Sequence, residues 1–291
     1  MIKAIVMDMD GTLLDGTNHI RTETKQILIR MQQQGIRLVL ASGRNYRRLL
    51  PYAKQLHMPE YGGYLIEFNG LCCCDLVKGS REAPGHLEPE QVNELFGYGK
   101  NLNCEIWALY DDGIYVYIPD QLYEIKRKLR TERNVSIDYP WTAGPCSWLD
   151  DLRDGYPDIH YIQSFEQIPQ TIRKVNYLND AQQTETYYNQ VLDDLSGHYS
   201  IFRSSIRNIE IVAKDFDKGT MLKHMMVRNG WTADEIMVFG DAENDIPMFP
   251  LSHHSYAVGQ AEQIVKQAAG HVTLSNDEQG IYEILKNQKS G

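Results

Sequence analysis

The chain has 291 residues, 42% of them hydrophobic and 23% charged, which is typical of a globular protein with one large or two medium domains. Its formal charge of −10 argues against a nucleic-acid backbone or an anionic membrane as a main partner. The amino terminus lacks a secretory signal pattern, and no segment approaches about 18 uninterrupted apolar residues. We therefore expect a soluble, cytoplasmic protein, and the five cysteines without a C-x-x-C pair fit a reducing compartment.

The first third of the chain alternates strand and helix patterns. Strands are predicted at residues 2–7, 36–40 and 64–68, and helices at residues 22–34 and 45–57. This βαβαβ order is typical of a parallel sheet with helices on both of its faces.

The same alternation returns near the end of the chain. A helix is predicted at residues 218–228, a strand at 236–239, and shorter strands at 256–258 and 271–274. We expect the two ends of the chain to share one sheet, so the predicted fold class is α/β with a doubly wound parallel sheet.

The middle of the chain differs from both ends in composition and in sequence pattern. Residues 84–212 hold 12 of the 18 tyrosines and three of the four tryptophans, and alternating stretches such as 114–118 suit an antiparallel sheet with one open face. We interpret this segment as an inserted α+β domain within a core made of residues 1–83 and 213–291. The enrichment in aromatic residues is modest, which favours packing in the domain core over stacking on a substrate.

Two aspartates, Asp8 and Asp10, follow the first predicted strand. Both carboxylates can enter one crevice at the carboxyl end of the sheet, where they would repel each other without a divalent cation. Oxygen donors with no histidine or cysteine nearby favour Mg²⁺ over zinc. One carboxylate can then attack phosphorus while the other transfers protons. An EF-hand loop is excluded because its sixth position, here Leu13, must be glycine, whereas a generic acidic turn remains an alternative.

A second acidic group follows the predicted strand at residues 236–239. Asp241 is expected at the same sheet edge as Asp8, as a further metal carboxylate. Asp245 can ligate the metal through water or orient its ligands. Asn244 offers a neutral donor to a phosphate oxygen, and helix capping is the alternative for these polar residues.

Two further segments have the features of an anion-binding site. Ser42, Gly43 and Arg44 lie between a predicted strand and a predicted helix, where a hydroxyl and backbone N–H groups can cradle phosphate, although such turns also occur without ligands. Lys218 opens a predicted helix, where its charge opposes the helix dipole, so we expect a phosphate and the acidic cluster to compensate it. A solvated surface lysine is the alternative. The chain has no G-x-x-x-x-G-K-[ST] loop, so P-loop nucleotide binding is not indicated.

In order along the chain, these pieces resemble the four motifs of the haloacid dehalogenase superfamily, specifically the Cof-type phosphatases of subfamily IIB. The motifs are Asp8 to Leu14, Ser42 to Arg44, Lys218, and Gly240 to Asp245. The resemblance implies a Rossmann-like core with an inserted cap of the C2B type. This chain departs from the pattern at Ala242, where glycine is frequent in the group. Asn69-Gly70 and residues 276–280 resemble further family features for which the sequence offers no chemical role.

The resemblance implies a role for each matched residue. Asp8 would be the nucleophile and Asp10 the general acid and base. Mg²⁺ would be held by Asp8, the Asp10 carbonyl and Asp241, and Asp245 completes the predicted metal site. The groups expected to hold the phosphate are Ser42, Gly43, Lys218 and Asn244.

The predicted function is Mg²⁺-dependent hydrolysis of small phosphomonoesters, such as sugar phosphates, through an aspartyl-phosphate intermediate. The inserted domain would be the cap that selects the substrate, and no nucleic acid, membrane or obligate protein partner is expected. A phosphomutase of the phosphomannomutase type would instead return the phosphoryl group to a sugar. A phosphate-sensing protein without catalysis is a third possibility, against which the intact pair of acids argues.

Overall fold

The computed structural model of the protein describes residues 1–144, 147–286 and 288. The described chain divides into two compact units. The first is Met1–Pro84 together with the residues from Phe216 onward, and the second is Gly85–Asp215. The predicted second core segment includes residues 287 and 289–291, which lie outside the described residues.

The described chain contains both strands and helices. The strands are β1 (Ala4–Asp8), β2 (Arg37–Ala41), β3 (Tyr64–Glu67), β4 (Cys72–Asp75), β5 (Ser80–Glu82), β6 (Glu105–Leu109), β7 (Gly113–Tyr117), β8 (Asp158–Tyr161), β9 (Lys174–Leu178), β10 (Tyr199–Ser205), β11 (Asn208–Ala213), β12 (Ile236–Gly240), β13 (His254–Ala257) and β14 (His271–Val272). The α-helices are α1 (Thr22–Gln33), α2 (Tyr46–Gln55), α3 (Met58–Tyr61), α4 (Pro89–Asn101), α5 (Asp120–Glu132), α6 (Ala181–Leu195), α7 (Lys218–Asn229), α8 (Gln263–Ala268) and α9 (Gly280–Leu285). The 3-10 helices are Phe68–Gly70, Phe165–Gln167 and Glu243–Leu251.

The first unit is built on an eight-stranded sheet in the order β14-β13-β12-β1-β2-β3-β4-β5. The pairs from β14 to β3 are parallel, so the two ends of the chain share one sheet as predicted. In register, Asp8 lies opposite Ala41 and Met7 lies opposite Phe239, so the loops after β1, β2 and β12 leave the same edge. The sheet is not wholly parallel, however, because β4 and β5 add an antiparallel margin that the sequence pattern did not predict.

Strand β1 is buried on both faces, as expected of a central parallel strand. Ile5 and Met7 enter one apolar cluster with α1 and α2, whereas Ala4 and Val6 enter the opposite cluster with α7. Helices therefore cover both faces, and the doubly wound α/β class is confirmed.

Local signals set the helix boundaries close to the predicted ones. The Asn45 side chain accepts a hydrogen bond from the Arg48 N–H at 3.2 Å and so caps the start of α2. Asp217 accepts from the Thr220 N–H at 2.6 Å and caps α7, which ends at Asn229 and is followed by Gly230 with a left-handed φ of 65°.

The second unit contains a six-stranded sheet in the order β10-β11-β9-β6-β7-β8. Its pairs are antiparallel as predicted, except that β7 and β8 are parallel. Helices α4 and α6 pack on one face through an aromatic-rich core that includes Tyr177, Tyr187 and Tyr199, so many of the tyrosines do serve packing. The opposite face is less open than predicted, because Glu105 on that face pairs with Lys126 of α5.

None of the helices in the described ranges combines the length and apolar character needed to cross a membrane.

Candidate active site

Four charged side chains meet at the edge of the first unit's sheet. Asp8 ends β1, and Asp241 and Asp245 follow β12. One oxygen of each of these three carboxylates lies within 4.8 Å of the other two. Lys218 joins them, because its Nζ lies 2.5 Å from Asp8 Oδ1 and 2.7 Å from Asp245 Oδ1. The structure therefore brings together residues from three motifs that are far apart in the sequence.

Negative charge exceeds positive charge in this cluster. Asp8, Asp245 and Lys218 are buried and Asp241 is half-buried. Loss of hydration and the Asp245 carboxylate raise the pKa of Asp8 well above its ordinary range. The same two causes raise the pKa of Asp241 to about 7. Burial opposes the charge of Lys218, but the carboxylates of Asp245 and Asp8 outweigh it and raise the lysine pKa.

The cluster fits a divalent cation. Its donors are carboxylate oxygens, which are hard ligands of the kind that Mg²⁺ prefers. The single ammonium of Lys218 leaves a surplus of negative charge among the three carboxylates, and a divalent cation would compensate it. Such an ion would also favour the charged forms of Asp8 and Asp241, whose pKa values are raised in its absence.

Asp245 supports the loop that carries Asp241. Its Oδ2 accepts hydrogen bonds from the backbone N–H groups of Asp241 at 2.9 Å and Ala242 at 3.1 Å. Its Oδ1 accepts from Lys218. The sequence left two roles open for Asp245, ligating the metal and orienting its ligands. Because both of its oxygens are engaged, Asp245 is better suited to orienting the ligands.

The loop after β1 closes against Asp241. The Thr12 hydroxyl donates to Asp241 Oδ1 at 2.6 Å and so orients that carboxylate. Gly11 has a φ of 85°, and a Cβ at this position would lie 2.4 Å from Asp241 Oδ2, so only glycine fits here. Sequence reasoning gave Thr12 no role, and its position after the Asp-x-Asp-Gly run was the available signal.

Asp10 lies outside the acidic cluster. Its side chain is 53% exposed and contacts the Arg44 guanidinium through both oxygens, with Arg44 Nε 2.8 Å from Oδ2 and Nη2 bonded to Oδ1. Arg44 is itself held over the Tyr52 ring, 5.6 Å from the ring centroid. Asp10, the predicted general acid and base, is therefore held by Arg44 of the second motif. Sequence reasoning did not assign Arg44 this contact with Asp10.

The other residues predicted to bind phosphate, Ser42, Gly43 and Asn244, belong to the segments around Asn69. The buried Ser42 hydroxyl accepts from the Arg44 N–H at 3.1 Å, which forms the turn that contains Gly43. Asn244 donates from Nδ2 to Asn69 Oδ1 at 3.1 Å, and the Asn69 N–H donates to the Ser42 carbonyl at 3.0 Å. The second and fourth motifs are thus linked through a residue of the Asn69-Gly70 pair.

With this geometry in view, the comparison with known families is decisive. Residues 5–285 match the model of the haloacid dehalogenase-like hydrolases. The chain belongs to this family. This membership confirms the family, the fold class and the enzyme class predicted from the motifs, a phosphatase of the haloacid dehalogenase type.

Relatives and solved structures cover nearly the whole chain. The chain is 24% identical over 290 residues to the 5-amino-6-(5-phospho-D-ribitylamino)uracil phosphatase YcsE of Bacillus subtilis, covering 98% of this chain and 95% of the relative. It is 22% identical over 300 residues to the phosphatase YwpJ of the same organism, covering 98% and 99%.

Solved structures that share the fold include two haloacid dehalogenase-type hydrolases. A haloacid dehalogenase-like hydrolase from Bacteroides thetaiotaomicron has 28% identity and a TM-score of 0.74, covering 98% of this chain and 99% of the other. The subclass IIB sugar phosphatase BT4131 has 22% identity and a TM-score of 0.74, covering 98% of each chain.

Proposed function

We propose that the protein hydrolyses small phosphomonoesters with Mg²⁺, through a phosphoryl group carried transiently on Asp8. The observation that carries this proposal is the cluster in which Asp8, Lys218 and Asp241 converge with a surplus of negative charge. Family membership supplies the reaction class, and the cluster supplies a carboxylate nucleophile with a cation beside it.

In the first step, an Asp8 oxygen attacks phosphorus and the bond from phosphorus to the leaving oxygen breaks. Asp10, in its protonated form, gives its proton to the departing alkoxide and is left as a carboxylate. Lys218 balances charge on the phosphoryl oxygens, with the Ser42 turn and Asn244 as further donors. A Mg²⁺ ion held by Asp8, the Asp10 carbonyl and Asp241 would neutralise the charge that builds up on the phosphoryl group.

In the second step, water attacks the phosphorus of the acyl phosphate and the bond to Asp8 breaks. Asp10 takes the proton from that water, inorganic phosphate leaves, and the Asp8 carboxylate is restored. The partly exposed position of Asp10 outside the acidic cluster suits a group that exchanges protons with both a leaving group and water.

We propose a polyhydroxylated phosphate ester as the substrate. YcsE is named for a phosphorylated ribityl compound and BT4131 is named as a sugar phosphatase. The loop between β1 and α1 is too short to form a cap, so we assign substrate selection to the inserted unit Gly85–Asp215.

Hydrolysis of p-nitrophenyl phosphate with Mg²⁺ and with a chelator tests this proposal directly. Asp8→Asn should lower turnover on the order of a thousandfold or more, because the amide is not a nucleophile. Asp277→Asn is a matched control, since that side chain is 60% exposed on the surface. Retained turnover in Asp8→Asn would overturn the assignment. Release of free phosphate from sugar phosphates, without isomer formation, would separate hydrolysis from mutase activity.

A further inference from the structure

The Asn69-Gly70 pair has no part in the chemistry above, although its backbone is unusual. It lies in the 3-10 helix Phe68–Gly70 that directly follows β3. Phe68, Asn69 and Gly70 have consecutive φ values of 49°, 56° and 99°, and all three residues are buried. Left-handed backbone is unfavourable for phenylalanine and persists only where the surroundings enforce it, often at functional sites.

Asn69 joins two loops of the candidate site. Its backbone N–H donates to the Ser42 carbonyl at 3.0 Å, and its side-chain oxygen accepts from Asn244 at 3.1 Å. All three residues are at most 5% exposed, so these hydrogen bonds are shielded from water. One residue therefore fixes the second motif through its backbone and the fourth motif through its side chain.

Gly70 reaches the third motif by direct contact. A Cβ on Gly70 would lie 2.0 Å from the Asp217 carbonyl oxygen and 3.2 Å from the Lys218 nitrogen. Asp217 caps α7, and Lys218 is the first residue of that helix. A larger residue at position 70 would thus push the start of α7, and with it the lysine that contacts Asp8.

We propose that Asn69 and Gly70 are positioning residues that hold Ser42, Asn244 and Lys218 as one preformed phosphate cradle. The inference rests on the proposed function, since it assigns these three groups to the phosphate. Donors from separate loops bind an anion well only when they are fixed in advance, and this turn contacts the segment of each one. Its left-handed backbone lets Asn69 and Gly70 face different motifs from adjacent positions.

Asn69→Gly tests the side-chain contact, because glycine keeps a φ of 56° without strain and removes the side chain that carries the carboxamide. We expect inorganic phosphate, with Mg²⁺ present, to bind about tenfold more weakly to this variant. Binding is measured by inhibition of p-nitrophenyl phosphate hydrolysis and by the thermal shift that phosphate causes. In an Asn244→Ala background, Asn69→Gly should add little, because it acts through Asn244.

Gly70→Ala tests the backbone contact, with Gly35→Ala as its control. Gly35 has a φ of 87° after α1, but a Cβ there meets nothing within 4 Å. Both changes impose similar backbone strain, and only Gly70→Ala adds a collision with Asp217. We expect Gly70→Ala to lower kcat/KM about a hundredfold and Gly35→Ala to leave it unchanged. Equal losses in both variants would overturn the inference.

The outcomes separate this inference from the proposed function. If the wild type hydrolyses the ester and Asn69→Gly binds phosphate as tightly as the wild type, the cradle is wrong and the hydrolase assignment stands. If the wild type binds phosphate without hydrolysis and Asn69→Gly weakens that binding, the cradle stands and the reaction is wrong. A wild type that binds no phosphate would overturn the cradle as well.

Discussion

The two units each contain a fully buried lysine, and the two lysines are neutralised in different ways. In the second unit, Lys126 contacts one carboxylate, Glu105, at 2.6 Å, and two backbone carbonyls. In the first unit, Lys218 contacts two carboxylates, Asp8 and Asp245, and a third acid lies beside them.

The pair in the second unit is balanced. The second oxygen of Glu105 accepts from the Trp107 indole at 2.8 Å and the Ala143 N–H at 3.0 Å, so its partners are internal. Burial lowers the pKa of Lys126, since a single carboxylate does not outweigh the loss of hydration. The network ties the segment after α5 to the sheet, which is a structural task.

The cluster in the first unit is unbalanced, and this difference points to a ligand. Carboxylates raise the pKa of Lys218 against the effect of burial, and Asp8 and Asp241 also have raised pKa values. An added cation would stabilise the charged forms of Asp8 and Asp241. A buried network whose charges are balanced therefore indicates a structural role, whereas a surplus of negative or positive charge indicates a binding site.

Lys126→Met should disrupt the balanced Lys126–Glu105 network, and we expect it to lower the unfolding free energy more than the substitutions that follow. The substitution leaves Glu105 as a buried charge without its cation, which costs about 3–5 kcal/mol of unfolding free energy. Urea denaturation followed by tryptophan fluorescence measures it, because Trp107, Trp141 and Trp148 all lie in the second unit.

Lys128→Met is the matched control on the same helix. Its side chain is 80% exposed and 3.8 Å from Glu132, so the loss should stay below about 1 kcal/mol. Adding Glu105→Gln to Lys126→Met removes the uncompensated charge and keeps an acceptor for Trp107, so it should recover part of the stability. Similar losses for the two lysine variants would contradict the comparison.

Magnesium binding should reveal the unbalanced cluster through its dependence on pH. The pKa of Asp241 is about 7 without metal, so below pH 7 the ion must displace a proton. Because the pKa of Asp8 is raised as well, the dissociation constant for Mg²⁺ should rise at least about tenfold for each pH unit below 7. Calorimetry in buffers of different ionisation heat measures the proton release, and a constant affinity from pH 5 to 8 would contradict the prediction.

The metal-free protein should show the opposite trend in stability. A carboxyl group whose pKa rises from 3.8 in the unfolded chain to about 7 in the folded chain stabilises the fold below pH 3.8. That contribution is lost as the pH rises from about 4 to 7. Asp241→Asn should remove this part of the pH dependence, as measured by thermal unfolding in chelator.

The sequence predicted the parallel core and the acidic cluster for physical reasons. Apolar runs such as β1 are buried on both faces, and parallel strands deliver Asp8 and Asp241 to one edge whatever their distance in the chain. Pairing at sheet margins depends on tertiary contacts, so the antiparallel β4 and β5 and the parallel β8 were not predictable. The roles of Thr12 and Asn69 depend on side-chain contacts across more than 170 residues, which no local pattern encodes.

Arg44→Lys tests an acid of the first unit, Asp10, that is paired with a cation as Glu105 is. The guanidinium contacts both oxygens of Asp10, whereas an ammonium offers only a point contact, so the orientation of Asp10 should loosen. We expect about a tenfold lower rate for an alkyl phosphate, whose leaving group needs a proton, and a smaller loss for p-nitrophenyl phosphate. Arg47→Lys, at an exposed position of α2, is the control. Equal losses for both esters would mean that Arg44 acts on the phosphate itself and not through Asp10.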